Sequence, residues 1–91
     1  MSQTVNSTVK VTVYSKDYCP YCDRAKALLK SKGVAFEAIE LQDHPGEFAK
    51  LKERTGLMTV PQIFIGDKLI GGYSDMADLD RNGELDKLLG I

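Results

Sequence analysis

The chain has no tryptophan, one histidine and only two cysteines in 91 residues. That inventory falls short of the four ligands of a closed zinc site, which would have to recruit two carboxylates to complete its shell, and no metal is expected. No apolar run approaches the ~20 residues of a membrane-spanning helix. Charge of one sign is lacking too: 12 basic and 13 acidic residues give a formal net charge of −1. They are spread along the chain, so no long-range field is directed at nucleic acid or an anionic membrane, and neither is expected as a partner. Residues 1–8 are polar, carry no basic n-region and lead into no signal-like apolar stretch. They read as a flexible polar tail, with 9–91 as a single domain. A hydrophobic content of 43% suits one modest core. The expected location is the cytoplasm, where thiols are kept reduced and a C-x-x-C is more often catalytic than structural.

Both cysteines fall in Cys19-Pro20-Tyr21-Cys22, after an apolar β-like run and before a helical pattern. Residues three apart on a helical turn bring their Cβ atoms to about 5–6 Å. A small adjustment reaches the roughly 3.5–4.5 Å of a disulfide. The pair can therefore open and close without refolding. With Cys19 at the helix start, free backbone N–H groups and the helix dipole favour its thiolate. Cys19 becomes the attacking sulfur and Cys22, one turn inside, the resolving one. A static structural disulfide is the plainer alternative, but so short a loop removes little chain entropy.

Val9, Val11 and Val13 alternate with polar neighbours, which predicts a strand leading into the cysteine loop. Ala25, Leu28 and Leu29 predict a helix over 21–32 that stops at Gly33. Residues 34–41 return to an extended pattern, giving a right-handed β-α-β unit with parallel strands. Asp43 is expected to cap a second helix running to Gly56, with His44 solvated at its start. Residues 62–65 and 68–71 predict a hairpin turning at Gly66-Asp67, hence an antiparallel pair. Ser74 is expected to cap a third helix, and Asn82-Gly83 to separate it from a last amphipathic segment. The order predicts an α/β chain with a four-stranded mixed sheet flanked by helices, the thioredoxin-like arrangement.

Three further features carry chemistry. Thr59-Val60-Pro61 precedes the third strand, where a cis Val60–Pro61 bond would expose the N–H and C=O of Val60 to an extended thiol peptide. Gly71-Gly72-Tyr73-Ser74-Asp75 leads into the third helix. Its glycines let a ligand backbone approach; helix-start N–H groups suit a carboxylate and Asp75 an ammonium, together an α-amino-acid end. Lys16, three residues before Cys19, offers positive charge to the thiolate or to a second ligand carboxylate. An ordinary capped turn and a solvated lysine are the plain alternatives.

Jointly and in this order, Cys19-Pro20-Tyr21-Cys22, Thr59-Val60-Pro61 and Gly71-Gly72-Tyr73-Ser74-Asp75 resemble the dithiol glutaredoxins, and Arg24-Ala25-Lys26-Ala27-Leu28-Leu29 is most similar to small bacterial members of the glutaredoxin 3 type. The resemblance spans residues 9 to 90. It implies glutathione as reductant and co-substrate, with no permanently bound cofactor. By resemblance, Lys16 and Tyr21 flank the glycine end of the tripeptide, Thr59 and Val60 pair with its cysteinyl backbone, and Ser74 with Asp75 holds the γ-glutamyl end. Pro61, Gly72 and Tyr73 belong to the same set. Cys19 would attack a glutathione mixed disulfide alone, or a protein disulfide with Cys22 resolving the intermediate. The implied partners are glutathione, glutathionylated proteins and protein disulfides, ribonucleotide reductase among them, met by a monomer. Two departures stand out: Tyr73 replaces a cysteine common in close members, and no residue clearly matches the basic or glutamine side chain of the second helix, for which Lys50 and Arg54 are candidates. Rival readings are a glutaredoxin-like electron donor fed by thioredoxin reductase, and a carrier of a glutathione-ligated 2Fe–2S cluster.

Overall fold

The computed structural model describes residues 9–91; the tail expected over 1–8 lies outside them. Strands β1 (Val11–Ser15), β2 (Glu37–Glu40), β3 (Gln62–Ile65) and β4 (Lys68–Gly71) form one sheet in the order β2-β1-β3-β4. β1 runs parallel to β2 and antiparallel to β3, and β3 runs antiparallel to β4. The sheet is thus mixed, as the sequence predicts. Helices α1 (Pro20–Ser31), α2 (Glu47–Thr55), α3 (Tyr73–Arg81) and α4 (Glu84–Leu89) flank it.

Strand alternation decides which helix goes where. Val11 and Val13 of β1, with Ile63 and Ile65 of β3, face one side and bury Ala25 and Leu29 of α1, Met76 of α3, and Leu85 and Leu89 of α4. Phe64 faces the other side, where Leu41 and Leu51 are buried and Tyr14, Phe48 and Val60 pack against them. The period-2 pattern read in the sequence is this division into two cores.

Beyond a one-residue shift of α1 from the expected 21–32, three elements begin or end elsewhere than expected. β2 covers only Glu37–Glu40, because Leu41–Asp43 turns into a short 3-10 segment that buries Leu41. Asp43 therefore caps nothing: α2 begins after Gly46, whose φ of +90° makes the turn, and has no side-chain cap. Ser74 is not a cap either. α3 starts two residues earlier than a Ser74 cap implies, at Tyr73, and Asp75 reaches back to accept a hydrogen bond from the Gly72 N–H at 2.9 Å.

Behind α1, a polar chain ties the sheet to the cysteine loop. The buried Ser15 hydroxyl donates to the Glu40 carboxylate, 3.0 Å from each oxygen, and Lys26 Nζ lies 2.9 Å from Glu40 Oε2. Gln42 then grips Asp17 at two points: its Oε1 accepts from the Asp17 N–H at 3.2 Å and its Nε2 donates to Asp17 Oδ1 at 3.1 Å. The Lys26 ammonium, chiefly, with the Ser15 and Gln42 bonds, holds the Glu40 carboxyl below the ordinary carboxylate range against the opposing effect of burial.

Candidate active site

β1 ends at Ser15 and the chain turns through Asp17 and Tyr18 into Cys19, the N-cap of α1. Pro20 at the first helical position needs no hydrogen-bond acceptor for its nitrogen and presets the helical φ. Cys19 and Cys22 are joined as a disulfide with Cα atoms 5.2 Å apart. Cys22 is buried while Cys19 stays partly accessible. The Cys22 N–H donates to Cys19 Sγ at 3.1 Å, so an otherwise unpaired donor of the first turn points at the sulfur. That polarity favours negative charge on Cys19 once the pair is reduced. The Cys19 sulfur is the one open to a substrate from solution, whereas the Cys22 sulfur is buried against it.

Opposite Cys19 stands the loop before β3. The Val60–Pro61 peptide is cis, and the Val60 carbonyl oxygen lies 3.8 Å from Cys19 Sγ. The loop is fixed from below by Gln62, whose fully buried Nε2 donates to the carbonyls of Leu57 at 3.2 Å and Thr59 at 3.0 Å. Beside it opens a cavity of about 350 Å³ lined by Tyr21, Leu57, Thr59, Val60, Pro61, Gly72, Tyr73, Ser74 and Asp75. The rings of Tyr21 and Tyr73 close one flank with centroids 6.2 Å apart, and the Arg24 guanidinium sits 5.2 Å above the Tyr21 ring. Gly71 has φ +117°, and a Cβ there would fall 2.9 Å from Asp75 Cγ, so only glycine leaves that carboxylate in place.

Eight of the nine binding residues expected from the sequence line this one cavity; Lys16 does not. Its Nζ lies instead 5.6 Å from the centroid of the Phe48 ring, where Lys52 Nζ of α2 also arrives, at 4.8 Å. The two proposed substitutes from α2 are engaged elsewhere: Lys50 pairs with Glu47 at 3.6 Å and Arg54 covers the Phe64 ring at 5.3 Å. Leu57 of the cavity and Lys52 beside Phe48 lie outside the expected set. Leu57 carries no chemical signal in sequence, whereas Lys52 sits one helical turn after Phe48, a spacing that a search for cations on one helix face would have found. His44 is exposed, as expected, and among the described residues no cluster of three or more His, Cys, Asp or Glu side chains could hold a metal ion.

A family model described as Glutaredoxin matches residues 11–70. The chain belongs to the glutaredoxin family. It is 48% identical over 79 residues to Glutaredoxin 3 of Escherichia coli, covering 87% of this chain and 95% of that protein. A glutaredoxin of Pseudomonas aeruginosa is 47% identical over 79 residues, with 87% and 94% covered. Among solved structures, the buckwheat glutaredoxin–glutathione complex superposes with a TM-score of 0.82 at 38% identity, covering 92% of this chain and 79% of that one. The glutaredoxin from Brucella melitensis gives 0.81 at 46% identity, covering 92% and 91%. Glutaredoxin membership, the thioredoxin-like fold and the Cys19–Cys22 pair make this chain a thiol–disulfide oxidoreductase.

Proposed function

We propose that residues 9–91 act as a single glutathione-dependent domain that reduces protein disulfides and glutathione mixed disulfides through Cys19 and Cys22. The observation that carries this reading is the position of Cys19 Sγ, 3.8 Å from the Val60 carbonyl at the edge of a cavity lined by residues from three separate segments. An extended tripeptide laid along Val60 brings its own sulfur to Cys19 while its main chain pairs with the exposed N–H and C=O. Its γ-glutamyl end then reaches the start of α3. There the N–H groups of the first turn suit the carboxylate, and Asp75 Oδ1, not used in the bond to Gly72, suits the ammonium. Thr59 and Pro61 shape the pairing edge, and Tyr21, Gly72 and Tyr73 form the flanks. The glycine carboxylate is met by Lys16, with Lys52 supplying the cation from the second helix.

In the first route the Cys19 thiolate attacks the glutathione sulfur of a mixed disulfide, the substrate leaves as a thiolate, and a second glutathione releases Cys19. In the second, Cys19 bonds to one sulfur of a protein disulfide and Cys22 displaces it, leaving the Cys19–Cys22 disulfide for glutathione to reduce. Both are read as the work of a cytoplasmic monomer, with ribonucleotide reductase among the candidate acceptors. A donor fed by thioredoxin reductase has no use for an amino-acid-end subsite at Gly72, Ser74 and Asp75. A cluster carrier would have to give up the disulfide that Cys22 closes. The test is turnover of a small glutathione mixed disulfide coupled to NADPH through glutathione reductase. Activity that needs glutathione supports the reading, while turnover restored only by thioredoxin reductase overturns it.

A further inference from the structure

Among the described residues four large apolar side chains are exposed, and three of them, Tyr18 (101%), Met58 (72%) and Tyr21 (54%), belong to the segments that meet at Cys19. Tyr18 immediately precedes the nucleophile, and Met58 lies two residues before Val60. Tyr18 is also the one non-glycine described residue with positive φ, +58°. That left-handed conformation is unfavourable for an L-residue with a Cβ. The backbone on one side is gripped by Gln42 and on the other becomes the cap of α1, so the turn is imposed and the ring is left in water. Such exposed apolar surface beside a reactive group marks a contact site rather than a packing remnant. The exposed charges of the same segments cancel: Lys16 and Arg24 against Asp17 and Asp23. The net charge of a polypeptide therefore gains little there, which leaves the apolar surface to discriminate between polypeptides.

We propose that Tyr18 and Met58 form an apolar rim that grips the side chains flanking the reactive cysteine of a polypeptide substrate, giving this chain a preference for disulfides set among aromatic or aliphatic residues. The occupant is fixed by continuity: whatever delivers a protein disulfide to Cys19 must lay its adjoining residues across these two segments. The proposal rests on the glutathione-dependent reading above. In the step concerned, the Cys19 thiolate bonds to one peptide sulfur as the other leaves as a thiolate. Cys22 then attacks Cys19, closing their disulfide and releasing the second peptide thiolate. Two electrons pass to the peptide, and two glutathione molecules restore the dithiol by forming glutathione disulfide.

The experiment compares two synthetic peptides, each with one internal disulfide, bearing leucine and tryptophan or serine and glutamine beside the cysteines, with a small glutathione mixed disulfide as the reference. The wild type is expected to favour the apolar peptide in kcat/KM by about five- to tenfold, the ratio given by removing part of one ring from water. Tyr18→Asn with Met58→Ser keeps a residue that tolerates the left-handed backbone. This variant should bring the preference close to unity and leave the reference reaction unchanged, while Tyr18→Phe with Met58→Leu retains the preference. An unchanged preference in the polar double variant, or none in the wild type, overturns the rim. A wild type inactive on the reference substrate as well overturns the glutathione reading beneath it.

Discussion

The backbone N–H of Cys22 lies 3.1 Å from Cys19 Sγ. On the proposed reading, the residue that resolves the intermediate thus also supplies, through its main chain, a donor that stabilises charge on the attacking sulfur. Replacing the Cys22 side chain leaves that donor in place. Cys22→Ser is therefore expected to retain most turnover of glutathione mixed disulfides and to lose reduction of protein disulfides that need a second thiol, whereas Cys19→Ser loses both. Parallel assays of the two variants on the two substrate types check this.

Gly71 and Asp75 form a second coupled pair. A methyl group at Gly71 meets the Asp75 side chain, and φ +117° is strained for alanine. Gly71→Ala should cost about 1–3 kcal/mol of stability. It should also raise the KM for glutathione with little change in kcat, because the carboxylate moves while Cys19 does not. Denaturant unfolding and steady-state kinetics separate the two effects.

Lys16 and Lys52 reach one aromatic ring from different elements, 5.6 and 4.8 Å from the Phe48 centroid. If they share the glycine carboxylate, Lys16→Ala and Lys52→Ala should each weaken glutathione binding by about 2–10-fold, the usual worth of an exposed charged contact. The effect should shrink as salt is added. Lys50→Ala, paired with Glu47 instead, should change affinity little, and titration calorimetry at two ionic strengths distinguishes these outcomes.

The mixed sheet with its parallel first pair and its hairpin, the place of Cys19 at a helix start, and the gathering of eight of the nine expected residues around one cavity were legible because each depends on local signals: alternating valines, a proline after the first cysteine, and glycines before a helix. What escaped depends on contacts between distant segments. Asp43 has the chemistry of a cap, but Leu41 is drawn into the core and turns the chain before a helix can start there. Ser74 was the obvious cap by residue type. Asp75 pairs with the Gly72 N–H instead, which sequence order alone cannot rank above it. The grip of Gln42 on Asp17 joins positions 25 residues apart and left no periodic trace.

Two ion-pair groups set opposite limbs of the pH dependence. The Glu40 carboxyl is held low by Lys26, so its contribution is present above the ordinary carboxylate range and is lost as pH falls through its depressed pKa. Lys32 lies 2.6 Å from Asp80 and 2.7 Å from Asp86, and their hydrogen bonds raise its pKa. Its contribution is present below the ordinary lysine range and is lost as pH rises through the raised value. Glu40→Ala should cost about 1–3 kcal/mol near neutrality, since the buried Ser15 hydroxyl loses its acceptor. Thermal unfolding across the acid range should show a flatter decline in this variant than in the wild type.

The most direct test of the central claim is to treat Cys22→Ser with glutathione disulfide, locate the adduct by mass spectrometry and follow the backbone amides by NMR. One glutathione on Cys19, with amide shifts concentrated at Thr59, Val60, Ser74 and Asp75, is the expected result. An adduct that leaves those amides unmoved, or no adduct on Cys19, would contradict the account.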